Sequence, residues 1–218
     1  MPKIVAFVPM KLNNDRLPSK NTLPLAGIPM CEYVLKTLLK TENIDETYVY
    51  CSDEKIKEYI PNDIKYLRRG KHLDLSSTPI LEVCQSFIKD VDADIYLLTH
   101  TTAPFLTRQS FEAGLNAVVK DCYDSAFAVK KLQAFMWQNG IPLNFSQDNV
   151  PRTQDLTPYY EETCGFYIWK REVMLDTGRR CGKSPYLVEV SDIEAIDINT
   201  RSDFEFADIV MRALKETI

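Results

Sequence analysis

Only seven glycines and two histidines occur in the 218 residues, and these shortages narrow the chemistry at once. Neither G-x-x-x-x-G-K-[ST] nor G-x-G-x-x-G is present, which excludes a P-loop kinase and a Rossmann dehydrogenase. His72 and His100 are too few for a histidine-rich metal centre and leave a Ser/His hydrolase little to work with. The six cysteines form no C-x-x-C pair and mostly sit inside apolar segments, so reduced core thiols are expected, with no disulfide framework and no structural zinc. No apolar run approaches the roughly 20 residues of a membrane span. A strand-like segment follows Met1 where a signal peptide would stand, so a cytoplasmic protein is expected. A net charge of −5 provides no broad basic surface for coating nucleic acid. Any phosphate binding must be local, and the chemistry falls to carboxylates, amines and backbone.

What is present is the composition of an ordinary globular domain, 45% hydrophobic and 26% charged. Residues 1–218 are expected to form one domain. Ile4 to Pro9 is a short apolar run without helical period, the mark of a strand buried on both faces. Met30, Val34, Leu35, Leu38 and Leu39 then recur at helical spacing, and a strand is expected over Thr47 to Cys51. Ile80, Leu81, Cys84, Phe87 and Ile88 predict another helix, followed by a strand from Asp94 to Leu98. Thr107 is placed to cap a helix bearing Phe111, Leu115, Val118 and Val119 on one side. Strands are expected again at Gly165 to Trp169 and Tyr186 to Val190. Ser202 to Glu205 has the form of a capping box opening a last helix, with Phe206, Val210 and Leu214 inward. Strands alternating with helices imply an α/β fold, a three-layer α/β/α sandwich around a mostly parallel sheet. From about 133 to 163 the pattern gives way to Pro142, Asn144, Asn149, Pro151 and Pro158, an excursion too long for a plain connection.

The loop after the first strand, Val8-Pro9-Met10-Lys11-Leu12-Asn13-Asn14-Asp15-Arg16-Leu17-Pro18-Ser19-Lys20-Asn21, carries three cations just beyond the carboxyl end of a buried strand. Ligands of open α/β sheets bind there, and Lys11, Arg16 and Lys20 with loop N–H groups could neutralise a triphosphate. Composition alone leaves open a polar surface loop that happens to hold three cations. The loop, however, resembles the nucleotide-binding signature of the acylneuraminate cytidylyltransferase family, written P-A-R-x-x-S-x-x-x-P-x-K-N. Pro9, Pro18, Lys20 and Asn21 fall on it without a gap; Lys11 stands for Arg and Asn14 for Ser. Leu97 to Phe105 is similar to the family's L-L-Q-P-T-S-P-L-R, with His100 near the position of a base-facing glutamine, and Arg69 resembles an arginine facing the nucleotide. Pro151-Arg152-Thr153-Gln154-Asp155-Leu156 resembles R-R-Q-D-L-P, Gly165 to Ile168 resembles N-G-A-I-Y-I, and Ile196-Asp197-Ile198-Asn199-Thr200 resembles I-D-I-D-T. Segments in one order across almost the whole chain are more specific than any one of them.

The resemblance implies a nucleotide-diphospho-sugar transferase-like fold and CMP transfer from CTP to the anomeric hydroxyl of a sialic-acid-like or other sugar acid, with pyrophosphate released. Pro9, Met10, Lys11, Arg16, Lys20, Asn21, Arg69, His100 and Thr102 would then face the nucleotide, with Lys11, Lys20 and Asp197 as the catalytic set. Arg152, Gln154, Tyr159 and Glu162 would face the sugar, whose carboxylate and hydroxyls call for arginine, amide and acid partners. Asp197 and Asn199 would meet Mg2+, Asn199 with a neutral carbonyl where the family has a second carboxylate. Local roles stay open for Lys20 and Arg16 as solvated cations, Asp197 as a backbone cap, and His100 as a partner of nearby backbone. The family's excursion is a dimer contact, so a homodimer is expected. Phe135, Trp137, Ile141, Leu143 and Phe145 are apolar enough for that, or for packing back on their own core. Two other readings are a relative using another triphosphate or a sugar or polyol phosphate acceptor, and a nucleotide-binding homologue without turnover.

Overall fold

A computed structural model describes residues 1–216. Its centre is a seven-stranded sheet of β1 (Ile4–Met10), β4 (Glu46–Cys51), β5 (Lys65–Arg68), β6 (Ile95–Thr99), β7 (Ser125–Leu132), β10 (Tyr159–Lys170) and β11 (Pro185–Glu189). The spatial order is β11-β7-β10-β6-β1-β4-β5, and all pairings are parallel except those of β10. The other strands form two small hairpins: β2 (Pro24–Leu25) with β3 (Ile28–Pro29), and β8 (Trp137–Gln138) with β9 (Ile141–Pro142).

The helices follow from the apolar spacing. On one face lie α1 (Met30–Lys40) and α3 (Arg108–Lys120), and on the other α2 (Ile80–Asp90) and α4 (Arg171–Thr177). β1 shows why its sequence is apolar throughout: Ile4, Ala6, Val8 and Met10 join the first core, while Val5 and Phe7 join the second. Phe7 stacks on Phe87 of α2 with ring centroids 4.1 Å apart. Burying each such ring contributes about 1.5–3 kcal/mol, more than the roughly 1 kcal/mol of a helix cap. Thr107 does cap α3, accepting from the Ser110 amide. At Gly114 a side chain would meet Ile168 at 2.8 Å, so glycine lets α3 lie close on β10. Among the described residues no helix is long and apolar enough to cross a membrane.

α5 (Arg201–Glu216) closes the end of the domain and departs from expectation. Its cap lies two residues earlier than Ser202: the Asp203 carboxylate accepts from the Asn199 and Thr200 amides at 3.0 and 2.8 Å, and the Asp203 amide donates to the Thr200 hydroxyl at 3.3 Å. The inward residues are Phe204, Ala207 and Met211, with Val210 at the margin, whereas Phe206 and Leu214 are exposed. They bury Leu17, Leu25 and Met30, so α5 braces the loop after β1. It also fixes the Ala26–Gly27 turn, where both residues have positive φ, through Asp208 to the Ala26 amide (2.6 Å) and Lys215 to its carbonyl (2.9 Å).

In the central sheet β5 and β7 went unanticipated, as did the four short hairpin strands. The expected strand from Gly165 is the second half of β10, whose register shifts between Glu162 and Tyr167 around Cys164, a residue at φ 57°. Within the expected excursion, residues 159–162 pair with β7 in the central sheet. Of the cysteines, 31, 51 and 84 are buried, but 122 and 164 are exposed and 181 is half-buried; all six are free.

Candidate active site

A cavity of about 250 Å³ opens where β1 and β6 end, and Pro9, Met10, Lys11, Lys20, Asn21, Arg69, His100 and Thr102 all line it. The family resemblance assigns each of these to the nucleotide. Leu73, Ile80 and Val83 supply an apolar wall. Arg16 lies in an adjoining pocket shared with Lys11, Asn14 and Lys20.

Hydrogen bonds explain how the loop holds its shape. Lys20 stands on a single 3-10 turn (Lys20–Thr22), is 9% exposed, and donates to the Ile198 carbonyl at 3.0 Å. Burial lowers its ammonium pKa from the ordinary value, neighbouring Arg16 and Lys11 act in the same direction, and Asp197 and Asp203 oppose them. Asn21 ties two loops together: its amide donates to the Lys11 carbonyl at 2.7 Å and its oxygen accepts from the Thr101 hydroxyl at 2.6 Å. Its observed bonds are therefore structural, although its surface reaches the cavity.

Asp74, which no motif singled out, organises the opposite wall. Its Oδ1 accepts from Arg69 Nε (3.1 Å) and Nη2 (2.8 Å), its other oxygen accepts from Ser52, and its main-chain carbonyl accepts from Lys11 Nζ at 3.0 Å. Two cations from distant segments are thereby aimed at one space. Arg69 is almost wholly buried, and its paired carboxylate offsets the cost of holding that charge there. Asn14 adds a buried side-chain oxygen without a hydrogen-bond partner at the boundary of the two pockets.

His100 keeps some surface on the cavity, yet protein atoms crowd its ring. Burial, then the nearby positive charge of Arg180, pushes its pKa down to about 4 despite the opposing Asp197 carboxylate, while Lys20 lowers it further. Near neutral pH the imidazole is uncharged, with one nitrogen able to donate and the other to accept.

Asp197, Asn199 and Arg16 form a chain at the loop's base. Arg16 donates to Asn199 Oδ1 at 2.8 Å, and the Asn199 amide donates to the Asp197 carboxylate. The neutral carbonyl of Asn199 is thus turned to Arg16. Among the described residues no cluster of three or more His, Cys, Asp or Glu is arranged to hold a metal ion.

The residues expected at the sugar are not on the walls of this cavity. Arg152 pairs with Asp155 at 2.7 Å on the surface, Gln154 is exposed, and Tyr159 is paired with Leu132 at the outer end of β10. Glu162 instead joins Tyr167 and Arg180.

A family model described as Cytidylyltransferase matches residues 5–207. The chain is 25% identical over 215 residues to an N-acylneuraminate cytidylyltransferase of Oncorhynchus mykiss, covering 94% of this chain and 49% of that one. It is 22% identical over 232 residues to a pseudaminic acid cytidylyltransferase of Campylobacter jejuni, covering 99% of both. The chain spans about half the length of the N-acylneuraminate relatives it matches in Oncorhynchus mykiss and Danio rerio. In fold it is similar to CMP:2-keto-3-deoxy-manno-octonic acid synthetase complexed with CTP, with TM-score 0.71 at 17% identity and coverage of 97% and 99%. A second fold neighbour is 4-diphosphocytidyl-2C-methyl-D-erythritol synthase of Anaerococcus prevotii, with TM-score 0.67 at 15% identity and 96% coverage of each chain. Since the match runs from the first strand into the last helix and so takes in every wall of the cavity, the chain belongs to the cytidylyltransferase family.

Proposed function

We propose that this chain transfers the cytidylyl group of CTP to the anomeric hydroxyl of a sialic-acid-like sugar acid. The hydroxyl oxygen bonds to the α-phosphorus and gives up its proton to solvent, the bond from that phosphorus to the bridging oxygen breaks, and pyrophosphate leaves. The observation that carries the reading is the convergence of Lys11, Lys20 and Arg69 with His100 on one cavity at the carboxyl edge of the sheet, within a chain of this family. Such a transfer needs positioning and charge stabilisation more than covalent help from the protein. Lys11 and Lys20 meet phosphate oxygens, exchanging their present main-chain carbonyl partners for stronger anionic ones. Arg69 is held by Asp74 and adds a fixed positive wall, and Arg16 reaches the same phosphates from the adjoining pocket. Neutral His100 and Thr102 offer donor and acceptor groups to a base edge.

Magnesium commonly takes one or two carboxylates together with substrate phosphates, and keeps several waters. Asp197 fits that requirement: its carboxylate lies within electrostatic reach of Lys20 and takes one hydrogen bond, from Asn199. Asn199 fits better as the link between Arg16 and Asp197 than as a ligand. A bound ion would screen charge on the transferring and leaving phosphates.

The partner is a second copy of the chain. Phe135 and Trp137 pack edgewise on Phe145 at 4.7 and 5.4 Å, so the excursion has a small cluster of its own. Even so, Trp137 remains 51%, Ile141 65% and Leu143 48% exposed, apolar surface suited to burial between subunits. Sedimentation should return twice the 25.1 kDa chain mass, and Trp137→Glu should return the single mass; a wild-type monomer would refute the dimer. We place the reaction in the cytoplasm, where CTP is supplied. Its test is pyrophosphate release that requires both CTP and a sugar acid.

A further inference from the structure

Lys11, Asn14, Lys20 and Ser76 line both the main cavity and the pocket that adjoins it. Three of them are engaged. Lys11 and Lys20 donate to the Asp74 and Ile198 carbonyls at 3.0 Å each, and Ser76 donates to the Asp15 carboxylate. Asn14 is not: its Oδ1 is buried and accepts no hydrogen bond, and its Nδ2 donates none among the described residues. The loop around it is nevertheless tied down. The Lys11 carbonyl accepts from Asn21 at 2.7 Å, Arg16 donates to Asn199 at 2.8 Å, and Leu17 packs in the α5 cluster. The bonds of its neighbours, and none of its own, hold this carboxamide at the boundary of the two pockets.

A buried acceptor without a donor is costly to the free protein, and a ligand that brings a donor removes that cost. Phosphate oxygens of an ionised triphosphate only accept, so they would satisfy Nδ2 and leave Oδ1 bare. A hydroxyl both donates and accepts, and two adjacent hydroxyls present a donor beside an acceptor, the complement of a carboxamide. Position points to the same group. The main cavity adds His100, Thr102 and the apolar wall of Leu73, Ile80 and Val83 on one side of Asn14, and the adjoining pocket adds Arg16 on the other. In a ribonucleoside triphosphate the piece that joins base to phosphates is the ribose, which carries a cis-diol. Rotation about χ2 of an asparagine is soft, so both ends of the amide can turn to that diol.

We propose that the Asn14 carboxamide binds the 2′,3′-diol of the nucleotide ribose, Oδ1 accepting from one hydroxyl and Nδ2 donating to the other, and so selects ribonucleotides over deoxyribonucleotides. The assignment rests on the cytidylyl-transfer reading for its ligand, CTP. Because Oδ1 is already shielded from solvent in the free protein, its bond to the ribose is gained without a further desolvation cost. Asn14 is in this account a specificity-determining residue, and the phosphates stay with Lys11, Lys20 and Arg16.

Isothermal titration calorimetry with Mg2+ and no sugar acid compares CTP with 2′-deoxy-CTP and 3′-deoxy-CTP, so that binding is read without turnover. Wild type should bind each deoxy analogue roughly 5- to 100-fold more weakly than CTP, the range for a hydrogen bond lost at a shielded site. Asn14→Ala should bind CTP as weakly as wild type binds the deoxy analogues, with all three ligands within about twofold of one another. An equal loss for all three in Asn14→Ala would place the residue on the phosphates, and a preference for CTP that survives the substitution would place the diol elsewhere. Either result overturns the assignment and leaves the transfer reading standing, as does a wild type that binds CTP and either deoxy analogue alike. If wild type binds no CTP, the two fall together. Should Asn14→Ala fail to fold, Asn14→Ser, too short to span the diol, decides by the same ratio: full wild-type preference for CTP would refute diol capture.

Discussion

Lys20→Met is expected to lower kcat by roughly a hundredfold or more, the usual loss when one pre-organised donor to a developing charge is removed. The methionine keeps the length and most of the volume of the lysine stem, so packing at this buried site changes little. What is lost is the charge and the hydrogen bond to the Ile198 carbonyl, which costs about 1–3 kcal/mol of stability if that carbonyl stays unpaired. Thermal melting separates the two effects. A variant that melts within a few degrees of wild type yet has lost turnover places Lys20 in the chemistry; near-normal turnover would remove it. The KM for CTP should rise less than kcat falls, because negative charge on the bridging oxygen grows as pyrophosphate departs.

Asp197→Asn should produce the other large effect. Replacing the carboxylate with an isosteric amide leaves room for the Asn199 contact but removes the one anionic protein group proposed for magnesium. We expect turnover to fall roughly a hundredfold, equivalent to about 2.7 kcal/mol, with half-saturation by Mg2+ shifted to higher concentration. A pH profile adds a second, independent readout. Asp197 raises the Lys20 pKa, so its removal lowers that pKa further and Lys20 loses its proton at lower pH. If protonated Lys20 is required, the alkaline limb of the rate profile must move to lower pH in Asp197→Asn. An unchanged magnesium titration and an unmoved alkaline limb would reduce Asp197 to a local structural acid.

Much of this arrangement was legible in the sequence because the elements nearest the cavity follow simple physical rules. β1 is buried on both faces and reads as an uninterrupted apolar run, and Thr107 caps α3 as its position suggests. β5 was not legible: it is a four-residue edge strand whose Lys65 and Arg68 face solvent, so it carries neither alternation nor an apolar run. The start of β10 was hidden for a similar reason, since Tyr159 to Glu162 are exposed and polar or amphipathic, and the bulge at Cys164 interrupts the pattern before the buried half begins. In α5 the misreading was of phase. Phe206 and Leu214 are as apolar as Phe204 and Met211, and only the brace across Leu17 and Leu25 decides which stripe faces inward.

At the site, the resemblance located residues that motifs fix, and the structure brings Lys11, Lys20, Arg69 and His100 to a single cavity. Asp74 escaped notice because its importance lies in a contact between segments distant in sequence. Its carbonyl accepts from Lys11 across 63 residues while its carboxylate holds Arg69. No local pattern encodes that meeting. Asn199 illustrates the converse: its place in a metal-associated motif was plain from sequence, but its side chain spends both polar ends on Arg16 and Asp197.

Release of pyrophosphate by the purified chain, measured for each of CTP, UTP, ATP and GTP with Mg2+ against a panel of sugar acids, tests the central claim most directly. The account predicts release that requires a sugar acid, is selective for CTP, and is matched mole for mole by CMP-sugar. Release with another triphosphate in preference to CTP, or none with any acid, would contradict it.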